Sequence, residues 1–91
     1  MKMIEIRRIE IIVKCCDCNG RITTEMKYIP LSKNEFDDII NNKRDWRDVV
    51  KVYLDTIISE IKYTDIGIKY CGYKTNNTYY VYLSSLIKKY I

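Results

Sequence analysis

The sequence predicts an α+β fold. An antiparallel hairpin leads into a helix, or a helix broken in two, and then a second antiparallel hairpin: ββαββ (or ββααββ), with a helix layer on the sheet. Three observations carry that expectation. Ile9, Ile11, Val13 and Cys15 alternate with Glu10, Ile12, Lys14 and Cys16 ahead of Asn19-Gly20. Ser32-Lys33-Asn34-Glu35 is a capping box, followed by apolar residues at three- and four-residue steps as far as Ile61. Asn76-Asn77 then separates two further alternating runs.

Asn19-Gly20 predicts a type I′ turn, because both central residues of that turn need positive φ. With these two as the turn, Val13 faces Met26, Ile11 faces Tyr28 and Lys14 faces Glu25. That register puts Ile9, Ile11, Val13, Cys15, Ile22, Thr24, Met26 and Tyr28 on one face. Arg7-Arg8 interrupts the alternation and reads as a bulge. Pro30 ends the strand. Phe36, Ile39 and Ile40 make the first helical stripe, and Asn41-Asn42-Lys43 breaks it. Trp46, Val49, Val50, Tyr53, Leu54, Ile57, Ile58 and Ile61 then extend a second helical stripe that packs as core.

A two-residue turn at Asn76-Asn77 places Ile66, Ile68, Tyr70, Gly72, Tyr79, Val81 and Leu83 on one face of the second hairpin. Lys69, Cys71, Tyr73, Tyr80, Tyr82 and Ser84 take the other. The tail beyond Ser84 reads as a short amphipathic helix or as a continued strand.

Length sets the scale: 91 residues support one small domain, 1–91, since two cores would each be near the lower limit for independent folding. The 47% hydrophobic fraction is too high for a disordered chain. The chain has no Ala, Gln or His, and it is rich in Ile, Lys, Tyr and Asn. Ala has GC-rich codons and those four residues AT-rich ones, so the composition points to an AT-rich genome. A chain this short and Ala-free then suits a viral or mobile-element accessory protein.

Without histidine there is no Ser-His-Asp or Cys-His nucleophile and no imidazole metal ligand. With glycines only at 20, 67 and 72 there is no phosphate-binding glycine loop. The acids are scattered along helical faces, so no enzyme activity and no cofactor are expected. Charges at the N-terminus stand where a signal peptide needs an apolar run, and no stretch suits a membrane span. The expected location is the cytoplasm, of the host cell if the protein is viral.

Cys15, Cys16, Cys18 and Cys71 are the only thiol candidates for a metal. Cys15 and Cys18 have knuckle spacing, but a structural zinc needs four ligands and the strand register splits the cluster between faces. No metal is expected. A disulfide from Cys71 to Cys16 or Cys18 requires the two hairpins to share a sheet.

The charge map is more telling. Residues 1–65 are neutral, and the whole +4 comes from Lys69, Lys74, Lys88 and Lys89. Six of the nine tyrosines share that last stretch. Tyrosine is at home in strands and cores, and it is enriched in protein interfaces. The leading expectation is a non-enzymatic module that binds a protein partner or a second copy of itself through Lys69, Tyr73, Tyr80 and Tyr82. For an accessory protein of a virus, inhibition of host defence, of the anti-CRISPR kind, is the role expected by analogy. The alternative is a small basic protein that binds single-stranded nucleic acid through Lys69, Tyr73, Lys74, Tyr80, Tyr82, Lys88 and Lys89, by phosphate attraction and base stacking.

Overall fold

A computed structural model describes residues 3–54, 58–72 and 76–91, the side chains of 58 and 59 excepted. The order of elements is β1 (Glu5–Cys16), β2 (Ile22–Pro30), α1 (Lys33–Ile40), α2 (Trp46–Leu54), β3 (Ile58–Tyr63), β4 (Gly67–Gly72) and β5 (Thr78–Tyr90). All five strands form one antiparallel sheet in the order β2-β1-β5-β4-β3. This overturns the expected ββαββ arrangement with its helix layer. The described residues are mostly sheet, with two short helices of eight and nine residues among them.

The first hairpin turns differently from the expected type I′ arrangement. Asp17 and Gly20, not Asn19 and Gly20, bracket the turn: the Gly20 N–H donates to Asp17 O (3.1 Å) and the Asp17 N–H to Arg21 O (3.0 Å). Asp17 Oδ1 also accepts from the Asn19 and Arg21 amides at 2.9 and 2.8 Å. Gly20 has φ +80°. This is a type I turn closed by a left-handed glycine, in which Asp is favoured at the first position and Gly at the fourth. The loop gains one residue and the register slips by one. Met26 therefore faces Ile12, Tyr28 faces Glu10, and Val13 faces Glu25. A one-residue slip turns every β2 side chain over. Ile22, Thr24, Met26 and Tyr28 thus lie opposite the face expected for them. Ile29, with Leu31 just past the strand, reaches the core instead.

The capping box forms as expected: Ser32 Oγ accepts from the Glu35 N–H (3.1 Å) and Glu35 Oε1 from the Ser32 N–H (3.0 Å). Asn42, at φ 58°, ends α1. Its N–H donates to Ile39 O and the Lys43 N–H to Asp38 O, which together make a Schellman closure with Asn in the glycine position. Asp45 caps α2 by accepting from the Arg47 N–H at 2.9 Å.

The expected second helix runs too far. It stops at Leu54, and Ile58–Tyr63 is strand. Ile61 and Tyr63 alternate with Glu60 and Lys62, a pattern that fits a strand as well as a helical stripe. Pairing with β4, Ile61 to Tyr70 and Tyr63 to Ile68, decides the outcome. Ile57 lies outside the described residues.

The second hairpin slips by four residues. Gly72 N–H donates to Asn77 O, so Asn76-Asn77 is not a two-residue turn, and Cys71 pairs with Thr78. An even slip leaves faces unchanged. The tail beyond Ser84 continues β5 to Tyr90 and pairs with β1 along its length. The irregularity near Arg7-Arg8 lies instead between Glu10 and Ile11, where β5 carries an extra residue, Ser84.

Ile9, Ile11, Val13, Ile29, Ile68 and Val81 from one sheet face pack with Leu31, Phe36, Ile39 and Val50 to form the core. Both helices contribute to that face. The other sheet face is left to solvent.

Candidate interaction surface

The uncovered face is assembled by register. From β2 come Ile22, Thr24, Met26 and Tyr28; from β1, Arg8, Glu10, Ile12, Lys14 and Cys16. Thr78, Tyr80 and Tyr82 from β5 pair with Cys16, Lys14 and Ile12. Lys69 pairs with Tyr80, Lys62 with Lys69, and Glu60 with Cys71. Ile22, Met26 and Tyr28 are 62%, 50% and 45% exposed. No helix residue contributes to this surface, because both amphipathic helices spend their apolar stripes on the opposite face.

Cations and rings interleave across it. The Arg8 guanidinium stands 4.4 Å from the Tyr28 ring centre, Lys14 Nζ 5.8 Å from Tyr82, and Lys69 Nζ 5.7 Å from Tyr80. Each pair holds its ring in place and adds a modest cation–π attraction. Lys62 and Lys69 face each other directly, an unfavourable like-charge pair. Lys62 finds a carboxylate in Glu60 at 3.5 Å. Among the described residues, Arg8, Lys14, Lys62, Lys69 and Lys89 share the face with only Glu10 and Glu60 as acids, so it is net positive.

Of the residues expected to bind, Lys69, Tyr80 and Tyr82 come together on this face. Tyr73 and Lys74 lie outside the described residues. Lys88 is not there: it pairs with Arg7 on the helix side and its Nζ sits 3.2 Å from Glu5 Oε1, which raises its pKa. Lys89 is outward but at the far end of β5, opposite Ile6. The basic C-terminal stretch of the sequence is therefore not one basic patch in space. Arg8, Lys14, Ile12, Met26 and Tyr28 were missed as members of the patch. The alternation of β1 already carried Lys14 and Ile12 away from Ile11 and Val13, whereas Met26 and Tyr28 depended on the turn.

The thiols do not converge. Cys15 faces the helix side opposite Tyr79, Cys16 and Cys71 face outward, and Cys18 sits in the turn. The hairpins do share a sheet, but β5 stands between Cys16 and Cys71, with Thr78 paired to both. Two strand spacings, about 9.6 Å, exceed what a disulfide spans. No disulfide joins the four cysteines. Among the described residues no three metal-capable side chains gather.

Three tyrosines do structural work on the helix side. Tyr70 and Tyr79 stack with ring centres 4.8 Å apart and planes within 9°. Burial raises the Tyr70 pKa to about 12. Tyr63 rises to about 12 as well, through burial and then through the hydrogen bond that its hydroxyl donates to Asp48. Arg47 lies 4.6 Å from the Tyr63 ring, donates to Thr64 O at 2.6 Å and forks onto Asp45, fastening the start of α2 to the β3–β4 turn. The Arg47 side chain holds the Asp45 carboxyl below its usual pKa.

The tyrosine shifts fix a sign for alkaline pH. A phenol whose folded pKa is raised favours the folded state only while the unfolded phenol is also protonated, so stability is complete below pH 10. It is expected to fall as the pH rises from 10 towards 12. A spectrophotometric titration should show Tyr63 and Tyr70 ionising towards pH 12 and together with unfolding. Full ionisation of all nine tyrosines near pH 10 with the fold intact would contradict this.

No family model matches the chain, and no curated protein or solved structure matches it either. Among the described residues no helix is long and apolar enough to cross a membrane.

Proposed function

We propose that the chain is a non-enzymatic binding module whose open sheet face takes a protein partner with a surface that is both acidic and apolar. The observation that carries this reading is the helix-free face itself, where exposed Met26 and Tyr28 and half-buried Ile12, Tyr80 and Tyr82 are interleaved with Arg8, Lys14, Lys62 and Lys69. Exposed apolar and aromatic groups of this density mark contacts, and Tyr and Met are favoured in them. The excess of cations favours an acidic complement and opposes stacking two copies face to face. Each outer ring already holds a cation over one side, so a nucleic-acid base has less ring surface on which to stack. Such a module suits the accessory-protein role that the composition suggests.

A photo-crosslinker placed at Tyr82, with Val52 on α2 as the control position, tests this in cells of the source. Protein adducts at 82 that are absent at 52 are the expected result, and Lys14→Glu with Lys69→Glu should remove them. Nucleic-acid adducts at 82 would favour the alternative. Equal labelling at both positions would refute any role for the face.

A further inference from the structure

The two edges of the sheet differ. β3 is a six-residue edge with a register irregularity between Ile58 and Glu60, which makes it a poor template for another strand. β2 is a nine-residue edge paired to β1 without interruption from Arg8–Pro30 to Cys16–Ile22.

The hydrogen bonds at the two ends of that ladder show which β2 groups are already engaged. Asp17 N–H donates to Arg21 O, and Leu31 N–H donates to Arg7 O. Bonded pairs recur every two residues in an antiparallel ladder, so Thr23, Glu25, Lys27 and Ile29 exchange bonds with β1. Ile22, Thr24, Met26 and Tyr28 then present N–H and C=O to the free edge. Pro30 falls in the same outward series, where its missing N–H leaves the β1 ladder intact.

We propose that the β2 edge pairs antiparallel with the β2 edge of a second copy about a two-fold axis at Met26, extending one sheet through both chains. The charges on the helix side of β2 select this register. With Met26 opposite Met26, Glu25 faces Lys27 of the second copy and Lys27 faces its Glu25, so two opposite-charge pairs form. Moving the axis to Glu25 brings Glu25 against Glu25, and moving it to Lys27 brings Lys27 against Lys27; both registers are penalised.

In the chosen register Met26 exchanges bonds with its equivalent, Thr24 with Tyr28, and the Ile22 N–H meets the Pro30 carbonyl. Inward charges usually guard an edge against pairing. Here the Glu25-x-Lys27 pair, 4.0 Å apart within one chain, disfavours strands that lack the complementary order of charges, and a copy of itself read antiparallel supplies that order. Because the axis is perpendicular to the sheet, both open faces lie on the same side and become continuous through Met26 and Tyr28. The inference does not rest on the proposed partner, because the residues that select the register are on the other side of β2.

Sedimentation equilibrium of the full chain tests it. A dimer is expected, weakened at least about tenfold by Glu25→Lys or by Lys27→Glu alone, since each change sets like charges opposite one another twice. The double variant Glu25→Lys/Lys27→Glu recreates both attractive pairs and should restore the dimer. Thr24→Pro, which removes an outward N–H and leaves the bonds to β1 in place, should give a monomer. The charge variants alter surface side chains only, so they decide the matter even if Thr24→Pro fails to fold. A monomer at every concentration, single variants as dimeric as the parent, or a double variant no tighter than the singles would each overturn the proposal.

Discussion

Gly67→Ala is expected to cost about 3 kcal/mol or more, a large part of the stability of a domain this size. A Cβ at this position would stand 1.8 Å from Val81 O and 3.0 Å from Val81 C, both backbone atoms. Backbone of a central strand cannot rotate away as a long side chain can. Val81 lies on β5, held by β1 on one side and β4 on the other. Room for the methyl group therefore has to come from parting β4 from β5, which also loosens β3. Gly67 is itself buried and its N–H donates a hydrogen bond to Thr64 Oγ1 at 2.9 Å, so it cannot simply swing outward. Urea unfolding of the variant measures the effect. A loss below about 1 kcal/mol would contradict the close approach of β4 to β5 at this position.

The second large effect contrasts neighbours. Ile11 is wholly buried among the core residues, while Ile12 points to the open face opposite Met26 and Tyr82. Ile11→Ala should cost about 3 kcal/mol, through lost burial and the cavity left behind. That corresponds to roughly 12–24 °C in Tm for a domain of this length. Ile12→Ala should cost about 1 kcal/mol, since its half-buried side chain has less packing to lose and leaves no closed cavity. If the open face is the contact surface, Ile12→Ala weakens binding while leaving the fold intact. Similar losses at both positions would mean that both faces of the sheet are covered, and the binding reading would lose its basis.

How much of this could be read from the residues differs from element to element. The capping box at Ser32 and Glu35 and the break at Asn41-Asn42 were legible because they are local hydrogen-bond chemistry within a few residues. The sides taken by Lys69, Tyr80 and Tyr82 were legible too, although the turn was misplaced, because an even shift preserves side. The first hairpin was harder. Asn19-Gly20 is a strong turn signal, yet Asp17 competes for the head of the turn, and the difference between the two turns is one residue. That residue moved Met26 and Tyr28 from the expected core to the open face. The patch could therefore not be drawn whole from the sequence.

By itself, then, the sequence determined the local features: alternating strands in β1 and β5, a capped and terminated α1, the absence of imidazole chemistry, and a surplus of lysine and tyrosine. Those depend on periodicity, side-chain hydrogen bonding and composition, which act over a few residues. Only the tertiary structure decided that Ile58–Tyr63 is a strand, because Ile61 and Tyr63 satisfy either period until β4 supplies hydrogen-bond partners. It alone brought Arg8 and Lys14 beside Tyr28 and Tyr82, and drew Lys88 away to Glu5. Strand order is a choice among long-range pairings, and each pairing is set by burial of whole faces rather than by the residues next in line.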